Sequence, residues 1–226
     1  MLKNRVTKVR DSVPIRNVIM SLSEKGGIES FAQGLLELSP ELRIFSTGGT
    51  FRKLEELLGS SSERLVELST YTGQPEMQGG LVKSLDFHVH AGLLAEPGNE
   101  AHRGFLERIN AVYFDMVVVN LYPFEKTVSS PDTDIEDARG NIDIGGPTML
   151  RAAAKNFLRV AAVSNPARYG SLLEELRGGG GALSLETRFS LARESFHHTR
   201  RYEEVIADYL DNVEPDSLGG TYLSEE

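Results

Sequence analysis

Short apolar runs alternate with segments of helical period, and no other feature constrains the fold of this chain as strongly. Runs at 18–22, 42–45, 65–68 and 116–121 are bounded by Gly, Ser, Thr or Pro and read as buried parallel strands. Between the first two, Ile28, Phe31, Ala32, Leu35 and Leu36 recur at three- and four-residue spacing, which predicts an amphipathic helix stopped by Ser39-Pro40. A second helix, with Leu54, Leu57 and Leu58 on one face, begins after Thr50. Such units predict an α/β fold: a mostly parallel sheet flanked by helices, with ligand sites beyond the carboxyl ends of its strands.

After a fifth apolar run at 160–163 the pattern turns helical. Asn165-Pro166 reads as a helix cap, and Gly178 to Gly181 as the clearest flexible break. From Ser184 to Leu210 apolar residues recur at helical intervals, as one bent helix or two. The expected organisation is an N-terminal extension at 1–15, one domain at 16–210 and a loosely ordered tail at 211–226. Within the domain, a sheet core at 16–164 is followed by a helical C-terminal layer.

Composition removes several classes of function. Twenty-four basic residues against thirty-three acidic ones give a net charge of −9, with no basic patch, so a nucleic-acid partner is not expected. The longest apolar run, at 116–119, is closed by Asn120, far short of the roughly 18 residues of a membrane span. The first sixteen residues are basic without the apolar stretch of a secretory signal, so a cytoplasmic address is expected. The chain has no Cys, so disulfides, thiolate metal sites and a Cys nucleophile are excluded, and any chemistry must use oxygen and nitrogen groups.

Two segments, SLSEKGG at 21–27 and STGGT at 46–50, each follow a strand and open a helix. Hydroxyls, glycines and free backbone N–H groups at a helix N-terminus are what a phosphate requires, and two adjacent loops with Lys25 make a cradle. The Gly-bearing segment at 73–85 carries Lys83 and Ser84 and reads as a loop that connects elements or covers a site. NLYPF at 120–124 ends a strand, and NIDIGGPT at 141–148 leads into MLRAAAKN at 149–156. Pro147 suits a first helical turn, which leaves Gly145 and Gly146 presenting N–H groups. Read singly, Asp143 could only open a helix and Lys155 could be a solvated charge. His88 and His90 could share one side of a strand, yet no third metal ligand accompanies them, so they are read as structural. His197, His198, Tyr202 and Tyr209 are read as packing or helix-contact residues.

Taken in order, SxSEKxG, STGGT, TGxPEMxGGxVKSL, VHAGLL, NLYPFxKTV, IDIGGPTxLRAAAKN and ETRxxLAxxxFxHTxxYxxxIxxYL closely resemble the inosine monophosphate cyclohydrolase domain, the N-terminal part of a bifunctional purine-biosynthesis enzyme family. The resemblance covers roughly 16–210. It implies a methylglyoxal-synthase-like fold and dehydrative ring closure of 5-formamidoimidazole-4-carboxamide ribotide to inosine monophosphate, a reaction with no cofactor. It places Ser23, Lys25, Thr47, Gly49, Thr50 and Ser84 on the ribotide phosphate or ribose. Lys83, Asn120, Tyr122, Asp143 and Lys155 fall where the base and reacting groups are handled, beside Gly145 and Gly146. Asp143 and Lys155 are expected as the central pair, assisted by Lys83 and Tyr122.

The chain departs from that family where Leu81 replaces an Arg and Asp86-Phe87 replaces a His-Pro pair. The first change removes a guanidinium and the second adds a negative charge in the same loop. The family continues into a formyltransferase domain that this sequence does not contain, so either a separate formyltransferase supplies the substrate or the sequence is part of a longer chain, and a homodimer is the expected assembly. The alternatives are a non-catalytic purine-ribotide-binding regulatory protein of the same fold, or a methylglyoxal synthase.

Overall fold

The computed structural model describes residues 5–74, 84–96, 98–215, 218 and 221–222. Five parallel strands form its centre: β2 (Asn17–Leu22), β3 (Arg43–Ser46), β4 (Leu65–Glu67), β5 (Met116–Asn120) and β6 (Ala161–Val163), in the order β4-β3-β2-β5-β6. Strands β2 and β5 pair from Val18↔Met116 to Leu22↔Asn120. The chain leaves β2 toward β3 and β4 on one side and returns to β5 and β6 on the other. The crevice of a doubly wound sheet therefore falls where the carboxyl ends of β2 and β5 meet.

The two-residue side-chain period of a strand divides the core. Val18, Met20, Leu22, Met116 and Val118 face one apolar cluster, while Ile19, Val117, Val119 and Ala162 face the other. Against the first face lie α1 (Ile28–Leu38), α2 (Gly48–Leu58) and α9 (Tyr169–Gly178). Phe31 of α1 stacks on Tyr169 of α9 with ring centroids 4.2 Å apart. The opposite face carries α4 (Phe87–Leu94), α8 (Gly145–Lys155) and α10 (Leu185–Asp211). The helical second half is thus shared between both faces rather than forming one layer, because α9 joins α1 while α10 lies along α8 and β6.

Shorter elements complete the order: α3 (Leu68–Thr72), α5 (Glu100–Arg108), α6 (Phe124–Val128) and α7 (Ile135–Gly140). Strands β1 (Val13–Pro14) and β7 (Ala182–Leu183) pair antiparallel, so residues ahead of 16 join the packed body. Fully buried Arg188 on α10 reinforces this by donating to the carbonyls of Arg10, Asp11, Leu158 and Phe157. The glycines at 178–181 make a hydrogen-bonded turn, with Gly180 and Gly181 at φ 62° and 84° and the Gly181 N–H on the Leu176 carbonyl at 2.7 Å. Residues 185–211 are a single helix, N-capped by Ser184 through the Thr187 amide. Leu68, read as a strand end, starts α3 instead.

Candidate functional site

The site lies where β2, β3 and β5 end. Asn120, opposite Leu22 in the ladder, has its carboxamide against the β2–α1 loop: Oδ1 accepts from the amides of Ser23 (2.6 Å) and Glu24 (3.2 Å), and Nδ2 donates to the Glu24 carbonyl (2.6 Å). The Thr50 hydroxyl grips the same loop, accepting from Leu22 N at 2.9 Å and donating to Leu22 O at 3.0 Å. A hydroxyl has one proton to donate, and Thr50 uses it inside the protein. Both residues thus hold the cradle loop in shape, and Thr50 has no hydroxyl proton left to donate elsewhere, while the Asn120 carboxamide keeps a second N–H.

What the cradle presents is different. Gly27, at φ 72°, turns the loop into α1. Gly48 and Gly49 open α2, where the first N–H groups have no intrahelical acceptor. The Lys25 ammonium donates to Ser23 O at 3.2 Å and lies over Gly49, 3.9 Å from where a Cβ would stand. Thr47 Oγ1 and Ser21 Oγ are 3.4 Å apart on the inner wall. An ammonium, two helix-terminal amides and two hydroxyls converge as an anion site requires. A groove of about 320 Å³ opens beside it between α1 and α2, bordered by Lys25, Glu29, Gln33 and Lys53.

Across the crevice stands the N-terminus of α8. Asp143 Oδ1 accepts from the Gly146 amide at 2.8 Å, and the Asp143 N–H donates to the Tyr202 hydroxyl at 2.7 Å. Burial pushes the Asp143 carboxyl up from its ordinary range, while the amides of Gly146 and Tyr122 pull it down by less. Gly146 fits closely here: a Cβ would lie 2.6 Å from Asp143 Oδ2 and 2.7 Å from Leu121, so those side chains would have to shift. Gly145 is equally constrained, since a Cβ would collide with the hydroxyl of Ser84, which is only 6% exposed. The Tyr122 backbone amide reaches this carboxylate, and its side chain is 51% exposed.

Lys155 does not join Asp143 within the chain. It is the exposed last residue of α8, about 15 Å along the axis from Gly145 at 1.5 Å per residue. Because α8 leads into a strand parallel to β5, its C-terminus lies at the amino ends of the sheet. Lys83 and Leu81 fall outside the described residues.

Asp86 proves to be a helix cap. Its Oδ1 accepts from the amides of His88 (2.7 Å) and Val89 (3.4 Å) at the start of α4, and the His88 ring lies 3.1 Å away. The added negative charge is therefore turned onto a helix N-terminus, where it is stabilised. His88 and His90 sit on that helix rather than on a strand, and two-residue spacing directs them to different sides. Among the described residues no cluster of three His, Asp or Glu side chains could hold a metal ion. None of the described helices is long and apolar enough to cross a membrane. Sequence reasoning missed Tyr202, which had been assigned to packing although its hydroxyl contacts the backbone of Asp143.

Residues 27–148, more than half of the chain, match the family model of the MGS-like domain. The chain belongs to the MGS-like domain family. Its methylglyoxal-synthase-like sheet is also that of ForH, whose crystal structure is 32% identical with a TM-score of 0.72, covering 85% of this chain and 97% of ForH. Beyond the MGS-like part, residues 153–224 match the model of the AICARFT/IMPCHase bienzyme. The bifunctional purine biosynthesis protein PurH of Neisseria meningitidis serogroup A is 43% identical over 207 residues, 92% of this chain. PurH of serogroup C is 43% identical over 206 residues. The chain spans 38% of the length of these two relatives.

Proposed function

We infer that this chain acts in purine biosynthesis and that its reaction is the cyclohydrolase step: ring closure of 5-formamidoimidazole-4-carboxamide ribotide. The carboxamide nitrogen forms a bond to the formyl carbon and gives up one of its two protons, the formamide N–H gives up its proton as a C=N bond forms, and the former formyl oxygen departs with both protons as water, leaving inosine monophosphate. No electrons are transferred, so the step needs no redox cofactor.

One observation carries this reading: Asp143, a half-buried carboxylate of raised proton affinity, stands at the α8 N-terminus beside Leu121, at the same carboxyl end of the sheet as the anion cradle. The ribotide phosphate sits against Lys25, the amides of Gly48 and Gly49, and the hydroxyls of Ser21 and Thr47. Its base then reaches toward α8. An amide nitrogen is a weak nucleophile, and a carboxyl whose proton affinity is raised by burial is a better base for it than an ordinary surface carboxylate. The exposed Tyr122 phenol is the group we assign to protonating the departing oxygen. The 43% identity to PurH supports the pathway, and the resemblance adds Lys83 as a charge for the tetrahedral intermediate. Incubating purified chain with the formylated ribotide and following inosine monophosphate by chromatography tests the reading. Ligand binding without product would favour a regulatory protein, and conversion of dihydroxyacetone phosphate would favour a methylglyoxal synthase.

A further inference from the structure

The geometry points to Tyr202 as the positioning residue for Asp143, which makes helix α10 part of the reaction site; this rests on the cyclohydrolase reading for its kinetic consequence but not for its structural content. Tyr202 lies 59 positions beyond Asp143, on a 27-residue helix. Its ring is 9% exposed and meets Phe124 edge-on at 6.3 Å, so the hydroxyl is delivered at a fixed depth. That hydroxyl does two things at once: its oxygen accepts the Asp143 N–H at 2.7 Å, and its proton points to the Asn141 carbonyl at 3.4 Å. Both ends of the turn entering α8 are thereby tied to one atom. Phenylalanine would keep the packing and lose both bonds.

Asp143 is consequently fixed from two sides. Its backbone is held by α10 and its carboxylate by the Gly146 amide. Burial, the largest influence on this carboxyl, depends on the turn remaining closed against α10. The phenol itself is pushed up to about 12, so it stays a neutral donor throughout the working range. Tyr209, on the same helix and edge-on to the same Phe124 ring at 5.8 Å, has no bond to this turn and serves as the natural control. Asp143 falls inside the segment matched as MGS-like, while Tyr202 falls in the segment matched to the bienzyme model. The second segment thus holds the base that the first provides.

The test compares wild type, Tyr202→Phe and Tyr209→Phe by NMR, reading the Asp143 amide exchange rate and the titration of its carboxyl. In Tyr202→Phe the amide should exchange about tenfold faster, the factor expected for one lost hydrogen bond. The carboxyl midpoint should move down toward the ordinary range, because the opened turn admits water. Turnover of the formylated ribotide should fall about tenfold or more with KM changed less than about threefold, and Tyr209→Phe should match wild type in all respects. An unchanged midpoint and exchange rate in Tyr202→Phe would overturn the assignment, whatever the activity. If wild type makes no inosine monophosphate, the cyclohydrolase reading falls, and the NMR comparison still decides Tyr202. Should Tyr202→Phe fail to fold, the wild-type Asp143 amide decides: slow exchange supports the bond, and exchange at the rate of an exposed loop overturns it.

Discussion

The two ends of the parallel sheet use polar groups in opposite ways. At the amino ends, Arg159 and Asp115 form a buried ion pair at 3.0 Å. Arg159 also donates to the carbonyls of Gly92, Ala95 and Phe114, and Asp115 accepts the amides of Arg16 and Asn17. The polarity there is closed on itself. At the carboxyl ends, Asn120 and Thr50 hold the β2–α1 loop, beside which lie the Lys25 ammonium and the first amides of α2, with the Tyr122 side chain exposed after β5. The same sheet therefore has one end whose polar groups are closed on one another and one end where the first amides of α2 have no intrahelical acceptor.

Mutations should separate the two ends. The largest effect is expected from Asp143→Asn, which should lower turnover about 10²- to 10⁴-fold, the range for losing a general base. Asparagine can still accept from Gly146, so the fold should survive. Since the folded state raises the carboxyl above its unfolded value, Asp143 binds a proton more readily when folded and opposes folding once ionised. Calorimetry should therefore find the variant as stable as wild type or more so near neutral pH, with that advantage fading in acid. In wild type the acidic limb of the pH–rate profile should lie above the usual carboxylate range of about 4, because the base must be ionised to act.

Arg159→Leu should do the reverse. Stranding Asp115 in the interior should cost about 3–5 kcal/mol of stability in denaturant titration, while the turnover of whatever remains folded stays near wild type. With its partner gone, burial holds Asp115 above its unfolded value, so the deficit relative to wild type should shrink as the pH falls.

The strands were legible because parallel strands buried on both faces are continuous apolar runs, and 18–22, 116–121 and 160–163 each came within a residue or so of their observed limits. Strands β1 and β7, of two residues each, carry too little pattern to read, and what fixes them is Arg188 at long range. The cradle was legible because glycine and hydroxyl residues after a strand are local signals. Its internal wiring was not: nothing in the sequence says that the Thr50 hydroxyl and the Asn120 carboxamide bond to the loop. Asp143 and Lys155 were paired through the family resemblance, but within this chain about three helical turns separate them. The Asp86 cap had a signal, an Asp directly before a helical stretch, that was read instead as charge in a loop.

Lys25→Ala should weaken binding of inosine monophosphate about 10- to 100-fold by titration calorimetry, the effect of one charge-assisted contact of about 1.5–3 kcal/mol. An equal loss in kcat at saturating substrate would instead place Lys25 on the reacting atoms. Asp86→Ala should be the mildest change, costing about 1 kcal/mol through the lost cap and leaving ribotide affinity within about twofold. A large gain in affinity would show that its charge does reach the ligand.

The central claim is that the carboxyl-end crevice closes the purine ring with Asp143 as base. The most direct measurement is single-turnover conversion of the formylated ribotide by wild type and by Asp143→Asn, with binding of inosine monophosphate to both measured alongside. The account predicts rapid formation of inosine monophosphate by wild type, a loss of at least about 100-fold in the variant, and similar product affinity in the two. Folded wild type that binds the ribotide without closing it, or a variant that closes it at the wild-type rate, would contradict it.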